Sequence, residues 1–321
     1  MIDYEVLIEK YRPKKLDEVI GQYEIIKRLK KYVERKNVPN LLLTGPRGSA
    51  KTASAHCIAR ELFKDDFSLN FKEFNASDER GINTVRDKIK DYANVKSIGD
   101  VKFKIILLDE AESLTSDAQN ALKRTLEIYT NSCRFILTCN YSSKIIEPLQ
   151  SRCAIYRFKK LSPQNIMKIC KNVCDKESIQ VQQEVLESIA YVSDGDARRA
   201  IGIIETARLT SESNIITIDD IYQVASLIDK KTIIDIIKTA LSGNFVSARI
   251  MIDDLLIDGL SSLDIIKQTM DRVEDMSIDD KTKIELICII GEAHWRISEG
   301  EDDAIGLHHM IANIAQLGSL I

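Results

Sequence analysis

After Pro163 this 321-residue chain has no proline; all five prolines lie at or before that position. The proline-free remainder is rich in Ile, Leu, Asp and Lys at helical spacing, which predicts an all-helical half after an α/β one. No apolar run reaches the roughly 20 residues of a membrane span. Nor is there a basic excess: 45 Lys and Arg stand against 49 Asp and Glu, a net charge of −4. That excludes the global charge signature of a nucleic-acid binder, so any DNA contact needs a local patch or helix N-termini. Seven cysteines form no C-x-x-C pair. Cys170 and Cys174 fall at i, i+4 without a second pair or a histidine, which reads as reduced thiols in a cytosolic protein rather than a zinc site. The N-terminus, Met-Ile-Asp-Tyr-Glu, is acidic and has no signal-peptide pattern. The length suggests two or three domains.

What is present is organised around Leu41-Leu42-Leu43-Thr44-Gly45-Pro46-Arg47-Gly48-Ser49-Ala50-Lys51-Thr52. An apolar strand enters a tight turn, and a Lys-Thr pair opens a helix. This is the context of a phosphate-binding loop, whose N–H groups surround phosphate oxygens at a helix N-terminus. Lys51 would reach the outer phosphates, and the Thr52 hydroxyl would sit on Mg²⁺. The pattern G-x-x-x-x-G-K-[ST] asks for glycine where Ala50 stands, so an ordinary strand-to-helix turn is the alternative. A second stretch, Lys104-Ile105-Ile106-Leu107-Leu108-Asp109-Glu110-Ala111-Glu112, is an apolar strand ending in carboxylates. In a parallel sheet such an end opens onto the ligand crevice. Asp109 would hold the Mg²⁺ water shell and Glu110 would polarise an attacking water. Together the two stretches point to an ATPase.

In chain order, a helix is expected over Tyr23–Glu34 and strands over 40–44, Phe71–Asn75, 103–109, 134–139 and 154–158. Further helices are expected over 81–92 and 116–127. Strands alternating with helices imply a parallel sheet with right-handed crossovers. Asn140 then lies at a strand C-terminus, where its amide would position the attacking water. The 81–92 helix carries Arg86, Lys88 and Lys90 on its outer face, either a DNA contact or a solvated face. Ser162-Pro163 opens a helix to Glu177, and another follows over 182–192. Gly195-Asp196 caps a helix with Arg198 and Arg199 in its first turn, where cations oppose the dipole. Gly243, Gly259, Gly291 and Gly300 mark expected breaks. Trp295 reads as a core or interface anchor, and His308-His309 as surface residues rather than ligands.

Several segments fall in a known order: Tyr11-Arg12-Pro13, the phosphate loop, Asn75-Ala76-Ser77-Asp78-Glu79-Arg80-Gly81-Ile82, Asp109-Glu110-Ala111-Glu112, Cys139-Asn140-Tyr141-Ser142-Ser143-Lys144, Ser151-Arg152-Cys153 and Gly195-Asp196-x-Arg198. They resemble the small subunit of replication factor C, a clamp loader of the AAA+ ATPases. The match is close over the first 200 residues. Beyond them it rests on length and Arg296-Ile297-Ser298-Glu299-Gly300.

The resemblance implies an α/β fold. A RecA-like AAA+ parallel-sheet domain (1–160) would be followed by a small helical lid (161–228) and an all-helical collar (229–321). It implies ATP and Mg²⁺ as cofactors, with Tyr11, Arg12 and Pro13 near the adenine, Asn140 as first sensor and Arg198 on the γ-phosphate. Arg152 would be an arginine finger reaching a neighbour's ATP. The implied partners are the large subunit and other small subunits in a hetero-pentameric ring, the sliding clamp, and primer–template DNA. Arg80 and Arg86 would contact DNA phosphates, and Val95-Lys96-Ser97-Ile98 the clamp. The implied location is cytoplasmic, or nuclear in a eukaryote.

The chain departs from the family's usual Gly-Pro-Pro-Gly-Thr-Gly-Lys-Thr loop at Arg47, Ser49 and Ala50. Glu112 stands where Asp is usual, and Gly202 where Asn is usual. This suggests a divergent paralogue, either a working ATPase subunit or a structural one with a weakened site. A branch-migration helicase is a more distant alternative, with no reason for Ser151-Arg152-Cys153.

Overall fold

In a computed structural model, residues 6–77, 89–211, 214–225 and 228–319 are described. Arg80, Arg86 and the first part of the expected 81–92 helix lie outside these residues. The chain divides into two compact units, Met1–Thr217 and Ile218–Ile321.

The first unit is built on five parallel strands: β1 (Leu41–Thr44), β2 (Phe71–Asn75), β3 (Lys104–Asp109), β4 (Cys133–Cys139) and β5 (Ala154–Arg157). Their order is β2-β3-β4-β1-β5. Alternation along the strands sends side chains to opposite faces. Leu41, Leu43, Ile105, Leu107 and Ile136 face one core, against Leu29 of the Tyr23–Glu34 helix and Ile58 of the Lys51–Phe63 helix. Leu42, Ile106, Leu108, Phe135 and Leu137 face the other, against Leu122 and Leu126 of the Ser116–Ile128 helix. A sheet covered on both faces explains why these strands read as continuous apolar runs.

Three helices, Pro163–Glu177, Gln183–Ser193 and Ala197–Thr210, complete this unit. Ser162 Oγ accepts from Asn165 N–H, so the Ser-Pro start is a true cap. A short parallel pair, Gln180–Val181 with Ile215–Ile216, joins these helices. The all-helical expectation for the second half missed it, because two-residue strands leave no period to read.

The second unit consists of helices around Ile237, Ile252, Ile265, Ile290, Met310 and Ile314. Asn244, Ser261, Asp279 and Asp302 each cap a helix by accepting an N–H three residues on. Gly243, Gly259 and Gly300 lie at helix ends with positive φ. Gly291 does not break the chain; it sits inside the Asp280–Ser298 helix. Trp295 is 63% exposed, which rules out the core reading. No helix among the described residues is long and apolar enough to cross a membrane.

Candidate functional site

The site forms at the C-terminal edge of the sheet. β4 lies between β1 and β3, so the loop after β1 and the carboxylates after β3 flank Asn140. Gly45 and Gly48 turn the loop at φ 147° and 65°, and Ala50 enters the helix in the left-handed region at φ 73°, ψ 24°. A residue with a Cβ pays roughly 1–2 kcal/mol there. Lys51 Nζ donates to the Gly45 and Pro46 carbonyls, both at 2.8 Å, and to Asn140 Oδ1 at 3.2 Å. Burial lowers its pKa, and the nearby Asp109 and Glu112 carboxylates oppose that shift. Ser49 Oγ donates to Pro46 O at 2.7 Å, which tightens the turn.

Thr52 Oγ1 lies 3.0 and 3.2 Å from the two Asp109 oxygens, and Thr138 Oγ1 also donates to Asp109. Glu110, at φ 54°, leaves β3 with its side chain exposed at the edge. Its N–H donates to Thr138 Oγ1 at 3.3 Å. Glu112 Oε1 accepts from both the main-chain N–H and the Nδ2 of Asn140, each at 2.8 Å.

These groups line one end of a cavity of about 800 Å³. Arg47 also lines it, as do Tyr11, Arg12 and Pro13 together with Ile20, Leu161 and Ile201. Tyr11 is fixed from outside. Its hydroxyl donates to Glu177 Oε1 at 2.5 Å, the oxygen that also takes Lys10 Nζ at 2.5 Å, and Arg208 takes Oε2 at 2.7 Å. Burial and then this bond push the Tyr11 pKa up to about 12. The bonds from Lys10 and then Tyr11 bring Glu177 down to about 2. Arg12 pairs with Glu9 at 2.5 Å.

Asp196 joins the loop to the Ala197–Thr210 helix. Its Oδ1 caps that helix by accepting from Arg198 and Arg199 N–H at 2.8 and 3.2 Å. The cap offsets part of the charge that two arginines bring to a helix N-terminus. A Cβ on Gly48 would stand 1.9 Å from the same Oδ1, so this close approach requires glycine. Arg198 lines the cavity, whereas Arg199 does not.

Comparison with known sequences gives three matched regions. They are the ATPase family associated with various cellular activities over residues 41–161, the RCF1/5-like AAA+ ATPase lid domain over 168–209, and the replication factor C C-terminal domain over 228–313. The replication factor C small subunit of Archaeoglobus fulgidus is 46% identical over 99% of each chain. That of Methanococcus vannielii is 48% identical over 97% of this chain and 98% of its own. This chain belongs to the replication factor C small-subunit family. It carries an ATPase domain of the AAA class. Among solved structures, Thermotoga maritima RuvB aligns with a TM-score of 0.56 at 22% identity, over 73% of this chain and 79% of its own. That likeness shows the RecA-like AAA+ fold alone.

The cavity residues fit the nucleotide and metal such a domain implies. The Thr52 hydroxyl and Asp109 carboxylate are hard oxygen donors suited to Mg²⁺. Among the described residues, Lys51 Nζ is held by loop carbonyls and one amide oxygen, which an anion would replace.

Arg152 stands apart. It precedes β5, whose first residue Ala154 pairs with Leu41 at the start of β1, so Arg152 lies at the N-terminal edge of the sheet. The strand between the two edges spans roughly 13 Å at 3.3 Å per residue. Its guanidinium pairs with Glu127 at 2.5 Å, and Nη1 donates to Pro148 O at 2.7 Å. Val95 and Ile98 are exposed, and both ends of the buried Asn70 amide bind the Ile98 backbone at 2.7 and 3.0 Å.

Sequence reasoning assigned no role to Thr138, Gln22 or Glu177, and took Glu112 only as an oddity. Gln22 is 4% exposed and bonds Lys159 O at 2.7 Å, which fixes the arm to the segment that follows β5. Each of these residues acts across a long sequence gap. A polar residue inside an otherwise apolar strand, as at Thr138, is the one signal that was available.

Proposed function

We propose that this chain is an ATP-driven subunit of a clamp loader that opens a sliding clamp and loads it on primer–template DNA. The reading rests on one observation: Lys51, Thr52, Asp109, Glu110, Asn140 and Arg198 converge on one cavity while Arg152 stands at the opposite edge of the sheet. Lys51 and Arg198 would bind phosphate oxygens, and Tyr11 and Pro13 would wall the base. Thr52 and Asp109 would hold Mg²⁺, which supplies charge neutralisation on the phosphates. Glu110 would accept a proton from water that Asn140 orients. Arg152 would complete the site of a neighbouring subunit, so hydrolysis depends on assembly. In this division, residues 161–228 act as lid and 229–321 as the collar of a hetero-pentameric ring. Arg80 and Arg86 would hold DNA by its phosphates, and the exposed Val95–Ile98 turn would face the clamp.

A second reading, a structural subunit with a weakened site, is favoured by Ala50 at φ 73°. The test is ATP hydrolysis by the assembled complex with and without Lys51→Ala in this chain alone. A lower rate, with lost nucleotide binding by the chain, supports the first reading. An unchanged rate supports the second.

A further inference from the structure

The amide of Asn140 has a donor end and an acceptor end of nearly equal shape, so only its partners decide which way it points. Here those partners carry opposite charges. Nδ2 donates to Glu112 Oε1 at 2.8 Å, and Oδ1 accepts from Lys51 Nζ at 3.2 Å. The Asn140 main-chain N–H donates to the same Glu112 oxygen, also at 2.8 Å. One carboxylate oxygen therefore holds both the backbone and the side chain of the residue that follows β4. Turning the amide over would set its NH₂ against an ammonium and its carbonyl against a carboxylate. The second oxygen, Glu112 Oε2, is buried and has no hydrogen-bond donor among the described residues.

We propose that Glu112 is a positioning residue that locks Asn140 with its carbonyl oxygen, not its NH₂, toward the phosphate end of the cavity. The inference rests on the ATPase reading above. Asn140 then works as a hydrogen-bond acceptor. It orients a water by taking one of its hydrogens, which leaves the water's lone pair facing the phosphates while Glu110 takes the other proton. Glu112 acts through Asn140, whose backbone and side chain it holds. A glutamate at this position provides the reach for both 2.8 Å bonds.

The test compares Glu112→Ala, Glu112→Gln, Asn140→Ala and the double change Glu112→Ala/Asn140→Ala in the full chain, alone and assembled. A misaligned catalytic group costs on the order of a hundredfold. Glu112→Ala is therefore expected to lower kcat at this site about a hundredfold, with KM and nucleotide affinity little changed. The double variant should be no slower than Asn140→Ala, because the two residues act as one unit. Glu112→Gln keeps an acceptor oxygen of the same reach and should recover part of kcat. Without nucleotide, hydrogen exchange at the Asn140 main-chain amide should accelerate in Glu112→Ala. Unchanged exchange there overturns the grip, and additive losses in the double variant overturn the shared role. Full kcat in Asn140→Ala overturns instead the ATPase role assigned to Asn140.

Discussion

At the C-terminal edge of the sheet, Ala50 and Glu110 both sit in the left-handed region, at φ 73° and 54°. At the N-terminal edge, the turn that carries Arg152 has no residue of positive φ from 148 to 153, and its arginine rests on Glu127 and a carbonyl. Each left-handed non-glycine residue costs roughly 1–2 kcal/mol. Two of the described non-glycine residues with positive φ thus border the cavity where side chains from different strands meet, while Lys36, Lys64, Ser178 and Asp194 carry the same conformation elsewhere. The N-terminal edge carries Arg152, whose proposed target is the nucleotide of a neighbouring subunit. If this contrast is right, changes at the two edges separate cleanly into effects on this chain's own nucleotide and effects on a neighbour's.

Arg152→Ala is the largest expected effect and the sharpest way to break the contrast. Losing an arginine finger supplied in trans typically costs on the order of 10³-fold or more at the affected site. The whole-complex rate should fall less, because other sites remain, and nucleotide binding by the isolated chain should not change. A purified Arg152→Ala chain that no longer binds ATP would put this arginine in its own site and end the comparison.

Ala50→Gly addresses the strained edge directly. Removing the Cβ relieves roughly 1–2 kcal/mol, which corresponds to about 5- to 30-fold in a binding constant. A nucleotide titration of the isolated chain in Mg²⁺ should show binding about tenfold tighter than with alanine. Weaker binding with glycine would mean that the loop is built for alanine and that strain at this edge is not what limits affinity.

How much of this was legible follows from what kind of information each feature uses. β1 and β3 were readable because a sheet covered on both faces demands unbroken apolar runs, and Ser162 and Asp196 because a cap is a local hydrogen bond. The strand–loop–helix turn over residues 41–52 was readable for the same reason. Glu112, Thr138 and Glu177 were not. They find Asn140, Asp109 and Tyr11 across gaps of 28, 29 and 166 residues. The strand order β2-β3-β4-β1-β5 creates the first two meetings, and no window of sequence contains it. For Trp295 the sequence left core and interface anchor open, since size and apolarity alone do not separate them, and its exposure excludes the core.

A third effect concerns DNA rather than nucleotide. Clamp loading should weaken steeply with salt, and Arg80→Ala with Arg86→Ala should reduce the log–log slope by roughly 0.9 for each phosphate that is no longer neutralised. The measurement uses the assembled complex on primer–template DNA. An unchanged slope would assign these arginines to the fold or to a subunit contact.

The smallest effect tests whether charge holds the wall of the cavity. Glu177 accepts from Lys10, Tyr11 and Arg208, and its pKa is brought down to about 2 from an ordinary 4.5. A depressed carboxylate contributes stability that is fully present above its unfolded pKa and is lost as pH falls through the folded one. Glu177→Gln removes that contribution and turns one acceptor into a donor facing other donors. A charge-assisted hydrogen bond is worth roughly 1.5–3 kcal/mol, and about 1 kcal/mol shifts the melting point of a unit this size by roughly 2–4 °C. Two of the three donors are partly exposed, so a drop of about 3 °C at pH 7 is the expected outcome. The gap between Glu177→Gln and the parent should stay constant above about pH 5 and close as pH falls from about 4.5 toward 2. Melting curves across that range, with hydrogen exchange over residues 6–13, report both parts. A gap that is the same at pH 3 as at pH 7 would mean that Glu177 holds Tyr11 by shape rather than by charge.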